Sequence, residues 1–181
     1  MGQKPSLAKT INKYKVVLVG GPCVGKSCIF HRVLKNEYRS SSGVGVNIGL
    51  KSIEIDGGDT VVVELWDVPS IVEMKKDCQS EYLDACDAVI FVYSKTDASS
   101  LGHAMAYWNC IGNNVPAVVL KSKCDCVVEQ LPDAEALTWL GNSRLDSFDV
   151  SAKENQGINV ALKLLLFQMN PAPSITMEAL E

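Results

Sequence analysis

Short apolar runs alternate along the chain with longer segments in which apolar residues recur every three or four positions. Residues 14–19 (YKVVLV) form the first run and stop at Gly20-Gly21, the pattern of a strand buried on both faces. Residues 24–36 then place Cys28, Ile29, Val33 and Leu34 at helical spacing. Residues 46–55 (VNIGLKSIEI) and 60–66 (TVVVELW) read as two strands around Asp56-Gly57-Gly58-Asp59, a hairpin with a slightly long loop. Residues 88–93 (AVIFVY) are another fully apolar strand, and residues 98–112 a helix with Leu101, Met105, Trp108 and Ile111 on its core face. Residues 115–120 (VPAVVL) are a buried strand whose Pro116 suits a strand start. A short helix over 133–140 stops at Gly141, a last strand covers 145–150, and an amphipathic helix covers 157–168.

Strands alternating with helices predict an α/β fold: a mostly parallel sheet of six strands, with five helices distributed over both faces. The polar residues 1–13 predict a flexible N-terminal arm. Pro171 and Pro173 mark 169–181 as a C-terminal tail, leaving 14–168 as one domain.

Composition narrows this further. A chain of 181 residues suits a single domain. With 47% apolar and 21% charged residues it has the balance of a globular protein. No apolar run reaches the roughly 18 residues of a membrane span, and the N-terminus lacks the apolar stretch of a secretory signal. The 7 cysteines are odd in number and form no CxxC pair, which predicts reduced thiols and a cytoplasmic location. A formal net charge of −4 argues against a nucleic-acid partner.

The chemistry concentrates in Gly20-Gly21-Pro22-Cys23-Val24-Gly25-Lys26-Ser27, a full match to G-x-x-x-x-G-K-[ST] between a strand and a helix. Glycines let the backbone wrap a phosphate, and backbone amides and a helix N-terminus supply positive charge to it. The expected phosphate-binding set is Gly20, Cys23, Val24, Gly25, Lys26, Ser27 and Cys28. Lys26 would reach the outer phosphates, and the Ser27 hydroxyl would ligate Mg²⁺, which prefers oxygen donors. A second glycine cluster from Gly43 to Gly49 opens a strand instead of a helix, so it is no dinucleotide fingerprint.

Further motifs follow in order. Gly43 to Lys51 with Ile53-Glu54-Ile55-Asp56-Gly57, then Trp66-Asp67, Val92-Tyr93 with Thr96-Asp97 and Ser100-Leu101, Trp108, Ser122-Lys123-Cys124-Asp125, and Ser151-Ala152-Lys153 all stand in sequence. In this the chain resembles the Ras superfamily of small GTPases, the Rab branch above all, from about residue 14 to residue 168. The resemblance implies a three-layer phosphate-loop NTPase fold that binds GTP or GDP with Mg²⁺. It places Asp67 at the Mg²⁺ through water. It assigns the guanine base to Ser122, Lys123, Asp125, Ser151, Ala152 and Lys153, with the Tyr38 ring packed near it. Asp125 would accept from guanine N1 and N2, a contact adenine cannot return, and such polar readout discriminates strongly. The Ala152 amide would donate to O6, and the stem of Lys123 would lie along the base.

The departures from the family bear on catalysis. Where the family has a threonine that senses the terminal phosphate, this chain has Gly43, in a segment about two residues short. D-x-x-G reads Asp67-Val68-Pro69-Ser70, and the position of the water-orienting glutamine is Ile71. Pro22 removes one amide from the phosphate loop, and Ser122 replaces a longer asparagine. No catalytic residue is assigned. Phosphoryl transfer rests on positioning and charge stabilisation, so these losses predict nucleotide binding with weak or absent hydrolysis. The alternative is a pseudo-GTPase serving as a constitutive scaffold for an effector or complex partner.

Met1-Gly2-Gln3-Lys4-Pro5-Ser6 fits M-G-x-x-x-[ST], which predicts myristoylation of Gly2. A single chain anchors weakly, and Lys4, Lys9, Lys13 and Lys15 would add attraction to an anionic leaflet. The last residues, Met177 to Glu181, carry no cysteine for prenylation. The expected location is therefore cytoplasmic, peripheral on the cytosolic face of a membrane.

Overall fold

The computed structural model describes residues 12–39, 45–54, 60–70, 79–111 and 115–170. Six strands form one sheet: β1 (Asn12–Gly20), β2 (Asn47–Glu54), β3 (Thr60–Asp67), β4 (Ala88–Ser94), β5 (Ala117–Ser122) and β6 (Asp146–Asp149). Their spatial order is β2-β3-β1-β4-β5-β6. Only β2 runs antiparallel, paired with β3 as a hairpin demands; the other pairs are parallel. The helices are α1 (Lys26–Lys35), α2 (Gln79–Leu83), α3 (Ser100–Ile111), α4 (Ala134–Ser143) and α5 (Ile158–Met169). This is the expected α/β architecture, a mostly parallel six-stranded sheet with helices on both faces.

Successive side chains of a strand point to opposite faces, so each central strand feeds two cores. Val16 and Leu18 of β1, Ile90 and Val92 of β4, and Val118 and Leu120 of β5 pack beneath α1 and α5. Val17 and Val19, Val89 and Phe91, and Ala117 and Val119 face the opposite way, under α2, α3 and α4. Both faces are covered, which is why the central strands read as unbroken apolar runs. Among the described residues no helix is long and apolar enough to cross a membrane, and the six described cysteines are free thiols.

Several elements differ from the pattern-based expectation. β1 takes in Asn12 and Lys13, which continue the register against Val61 and Val62, and Lys13 bridges Glu64 at 2.6 Å. The α3 face that is buried is Leu101, Ala104 and Tyr107, not the stripe through Met105. Trp108 and Ile111 are only partly buried against that core, and Trp108 meets Phe91 and Trp139 edge-on. α4 does not stop at Gly141; it runs to Ser143 and ends where Arg144 adopts a left-handed φ of 58°. A glycine inside a helix costs about 1 kcal/mol, which one further turn absorbs. α2 is too short to show a period in the sequence.

Candidate functional site

β1 delivers the chain to Gly20, and α1 takes it up at Lys26. A Cβ at Gly20 would lie 2.1 Å from the Val92 carbonyl oxygen of β4, so only glycine fits. Gly25 caps α1 with φ 98°, another conformation that favours glycine. Lys26 is buried, and its Nζ donates to the carbonyls of Gly20 at 3.1 Å and Gly21 at 2.8 Å. The ammonium is thus held against the loop that carries the exposed Cys23 and the buried Val24. The first turn of α1 carries no acidic residue, leaving the positive end of the helix uncompensated.

Ser122 ends β5, the strand next to β4, and is buried. Despite its short reach, its hydroxyl donates to the carbonyl of Val24, joining the strand end to the phosphate loop. Lys123 then turns the chain with φ 60°, and the Cys126 amide closes the turn on the Lys123 carbonyl at 2.9 Å. The Cys124 amide donates to Val150 at 3.1 Å, bringing this turn against the loop after β6. There the Ser151 hydroxyl donates to Asp125 Oδ1 at 2.7 Å, which orients the carboxylate. Ser151 is itself fixed, because its amide and carbonyl pair with those of Gln156 at 3.0 and 2.9 Å.

A third element braces this arrangement from below. Arg32 of α1 donates through Nε to the Ala152 carbonyl at 2.8 Å and through Nη2 to the Lys153 carbonyl at 3.2 Å. With the Ala152 carbonyl engaged, its amide is set on a fixed loop. Lys153 itself points outward and pairs loosely with Glu154 at 3.7 Å.

Asp67 ends β3 beside Leu18 of β1 and is 3% exposed. Among the described residues only Asn47 Nδ2 donates to it, at Oδ2 and 3.1 Å. A carboxylate this buried, with one amide partner, fits a hard divalent cation. Ser27 stands on the first turn of α1 and would be the second oxygen donor. Cys28 lies within electrostatic range of both Asp67 and Lys123. Burial raises its thiol pKa above the ordinary 9.0, Lys123 works against that rise and Asp67 adds to it. The Cys124 thiol is raised too, by burial and then by Asp125. Beyond Asp67, Val68 and Ser70 are buried, and the Tyr107 hydroxyl of α3 donates to the Pro69 carbonyl at 3.1 Å.

The structure therefore brings together Gly20, Val24, Gly25, Lys26, Ser122, Lys123, Asp125, Ser151 and Ala152. Tyr38 stands at the surface, 47% exposed. Gly2, Gly43 and Ile71 lie outside the described residues. Arg32, Asn47, Tyr107 and Gln156 were not foreshadowed. Arg32 and Tyr107 act on main-chain carbonyls, which carry no mark in a sequence.

The Ras family model matches residues 15–170. The GTP-binding protein YPT1 of Saccharomyces cerevisiae is 30% identical over 152 residues, covering 76% of this chain and 73% of its own length. The Ras-related protein Rab-33A of Mus musculus is 29% identical over 153 residues, covering 80% of this chain and 64% of its own length. The Ras-related protein RIC1 of Oryza sativa subsp. japonica is 28% identical over 155 residues, covering 82% of this chain and 76% of its own.

Proposed function

The chain belongs to the Ras family and is a Rab-like small GTPase homologue; from that premise we propose that it binds GTP and GDP and hydrolyses GTP weakly or not at all. The observation that carries the reading is the Ser122 bond to Val24, which joins a phosphate loop to a base-reading turn in one rigid unit. Lys26 and the amides from Cys23 to Cys28 would hold the phosphates. Asp125, oriented by Ser151, would accept from guanine N1 and N2, and the Ala152 amide would donate to O6. Ser27 and Asp67 would hold Mg²⁺, which screens phosphate charge when bound. Hydrolysis is weak in this reading because Ile71 cannot orient a water and Gly43 offers no hydroxyl.

One observation favours a second reading, a fixed interaction surface in place of a nucleotide-driven switch. The segment after Asp67, which conventional switching would move, is tied to α3 through Pro69 and Tyr107 and buried at Val68 and Ser70. A ligand shifts a conformational equilibrium only through unequal affinity for two states. The Met1-to-Ser6 sequence supports a myristoyl anchor at Gly2, and with it a peripheral membrane location.

Denaturing the purified protein and chromatographing the supernatant tests the reading. Near-stoichiometric GDP or GTP is expected. A protein that is empty and takes up no GTP with Mg²⁺ overturns nucleotide binding and leaves the scaffold.

A further inference from the structure

The loop that joins β5 to α4 bonds its polar residues back onto the domain and leaves its apolar ones in solvent. The Glu129 carboxylate meets Lys121 at 3.2 Å and Lys95 at 3.9 Å. The Gln130 amide donates to the Lys95 carbonyl at 2.8 Å, and its side-chain oxygen accepts from the Ala98 amide at 3.3 Å. These bonds fix the loop against the connection between β4 and α3. Val127, Val128 and Leu131 are left 98%, 64% and 77% exposed. Leu137 of α4, one turn beyond Asp133, is exposed as well. Single apolar side chains are ordinary on a protein surface, but a group of them held out by fixed neighbours marks an interaction site.

The charge around this group narrows what covers it. From Cys124 to Ser143 the chain carries four acidic residues, Asp125, Glu129, Asp133 and Glu135, and no lysine or arginine. Glu129 is met by its two lysines, and Asp125 is bonded by Ser151. Asp133 and Glu135 are exposed and form no ion pair among the described residues. Asp133 stands at the N-cap of α4 yet makes no side-chain cap bond, so its carboxylate is open to a partner. An anionic leaflet repels acids of this kind. A second copy meeting the face across a two-fold axis would set like charges opposite one another. A partner with cations beside its apolar residues meets neither penalty. The loop offers no sheet edge for strand addition, so the apolar face of a helix is the form that fits.

We propose that the loop after β5 and the first turn of α4 form a docking face for a basic amphipathic helix of another protein. Apolar side chains of that helix cover Val127, Val128, Leu131 and Leu137, and its lysines or arginines pair with Asp133 and Glu135. The face lies outside the groups assigned to phosphate and base, so it goes beyond the nucleotide reading and does not rest on it.

The test uses the full chain and a labelled synthetic amphipathic helix of about 18 residues, with leucines on one face and lysines on the rest. A second peptide has glutamate in place of every lysine. Fluorescence anisotropy is expected to give a Kd on the order of micromolar for the lysine peptide and binding at least about tenfold weaker for the glutamate peptide. Amide shifts in the NMR spectrum should move at residues 126–137. Val127→Ser with Leu131→Ser should weaken the lysine peptide at least about tenfold. Asp133→Lys with Glu135→Lys should reverse the preference between the two peptides. Both pairs lie at the surface, and either one decides the matter should the other not fold. No binding of the lysine peptide, or binding that neither pair changes, overturns the inference. So does a dimer that sedimentation shows to dissociate in the serine variant, because a second copy then covers the face. Binding to neutral phosphatidylcholine vesicles that the serine variant loses assigns the face to a membrane and overturns it equally.

Discussion

Arg32 Nε donates to the Ala152 carbonyl at 2.8 Å, tying the helix behind the phosphate loop to the loop behind β6. The same guanidinium reaches Lys153 at 3.2 Å and Asn36 at 2.7 Å, so one side chain closes the C-terminal end of α1 and fixes the base loop. One helix thus carries both groups: its first turn holds Lys26 and its last turn holds Arg32.

Removal of this brace should loosen base recognition. Arg32→Ala is expected to cost about 1–2 kcal/mol of stability, less than a fully buried charged hydrogen bond because the guanidinium is partly exposed. It should also raise the GDP dissociation rate. Arg32→Lys should not restore either, because an ammonium cannot reproduce a planar fork that serves several carbonyls. Thermal melts and stopped-flow dissociation check this; a lysine variant equal to wild type would show that charge alone suffices.

The tie between Tyr107 and the Pro69 carbonyl gives a second outcome. Tyr107→Phe keeps the ring in the core and removes the hydroxyl, at a cost of about 0.5–1.5 kcal/mol. Hydrogen exchange at residues 67–70 should quicken in the variant. In the wild type it should be the same with GDP and with a non-hydrolysable GTP analogue, since a pinned turn does not switch. Protection that changes with the nucleotide would return the chain to the conventional switching class.

How far these features were legible in the sequence depended on which chemistry carried them. The central strands and their parallel order follow from unbroken apolar runs such as AVIFVY, because burial on both faces leaves no polar position. The phosphate loop follows from glycines that only backbone geometry requires, at Gly20 against Val92 and at Gly25. Residues whose role is to bond main-chain carbonyls left no such mark. Arg32 looks like any helical surface arginine until Ala152 and Lys153 are placed beside it. The α3 stripe was read correctly at Leu101, Trp108 and Ile111, which meet the core, and wrongly at Met105, because the helix turns Ala104 and Tyr107 inward instead.

Burial raises the pKa values of Cys28, Cys86 and Cys124 above the ordinary thiol value of 9.0. A thiol raised in the fold holds its proton where the unfolded chain has lost it. The folded state then binds more protons, and stability falls with rising pH. That contribution is complete below 9.0 and is lost as the pH climbs above it toward the folded values. Melting temperature should therefore decline above that point, and Cys28→Ala should make the decline shallower. A melting temperature independent of pH in this range would contradict the half-buried placement of these thiols.

Attachment to a membrane is testable independently of the nucleotide. β1 starts at Asn12 and ends at the phosphate loop, so Asn12 lies at the end of the strand remote from that loop. An anchor there would leave the nucleotide face clear. Co-expression with an N-myristoyltransferase should shift the mass by one myristoyl group and move the protein onto anionic vesicles. The binding should weaken with salt, as lysine attraction to the surface is screened. Gly2→Ala should abolish both the mass shift and the partition; unchanged partition would exclude the lipid as the anchor.

Hydrolysis is the last consequence and follows from what the site lacks. In small GTPases with their glutamine in place, intrinsic turnover is roughly 3–5 × 10⁻⁴ s⁻¹. With isoleucine at position 71 and glycine at position 43, single-turnover hydrolysis is expected to fall below about 10⁻⁴ s⁻¹, while GTP still binds. The binding and catalytic groups are separate here, so they should respond separately. Asp67→Ala should weaken Mg²⁺-dependent nucleotide affinity, because it removes the buried carboxylate that Asn47 holds in place. Ile71→Gln should leave affinity nearly unchanged and raise turnover, and Ile71→Gln with Gly43→Thr should raise it further. Positioning a water requires the glutamine, and closing on the terminal phosphate requires the threonine hydroxyl. If wild-type turnover already matches a conventional small GTPase, another group orients the water, and residues 71 and 43 do not explain the rate.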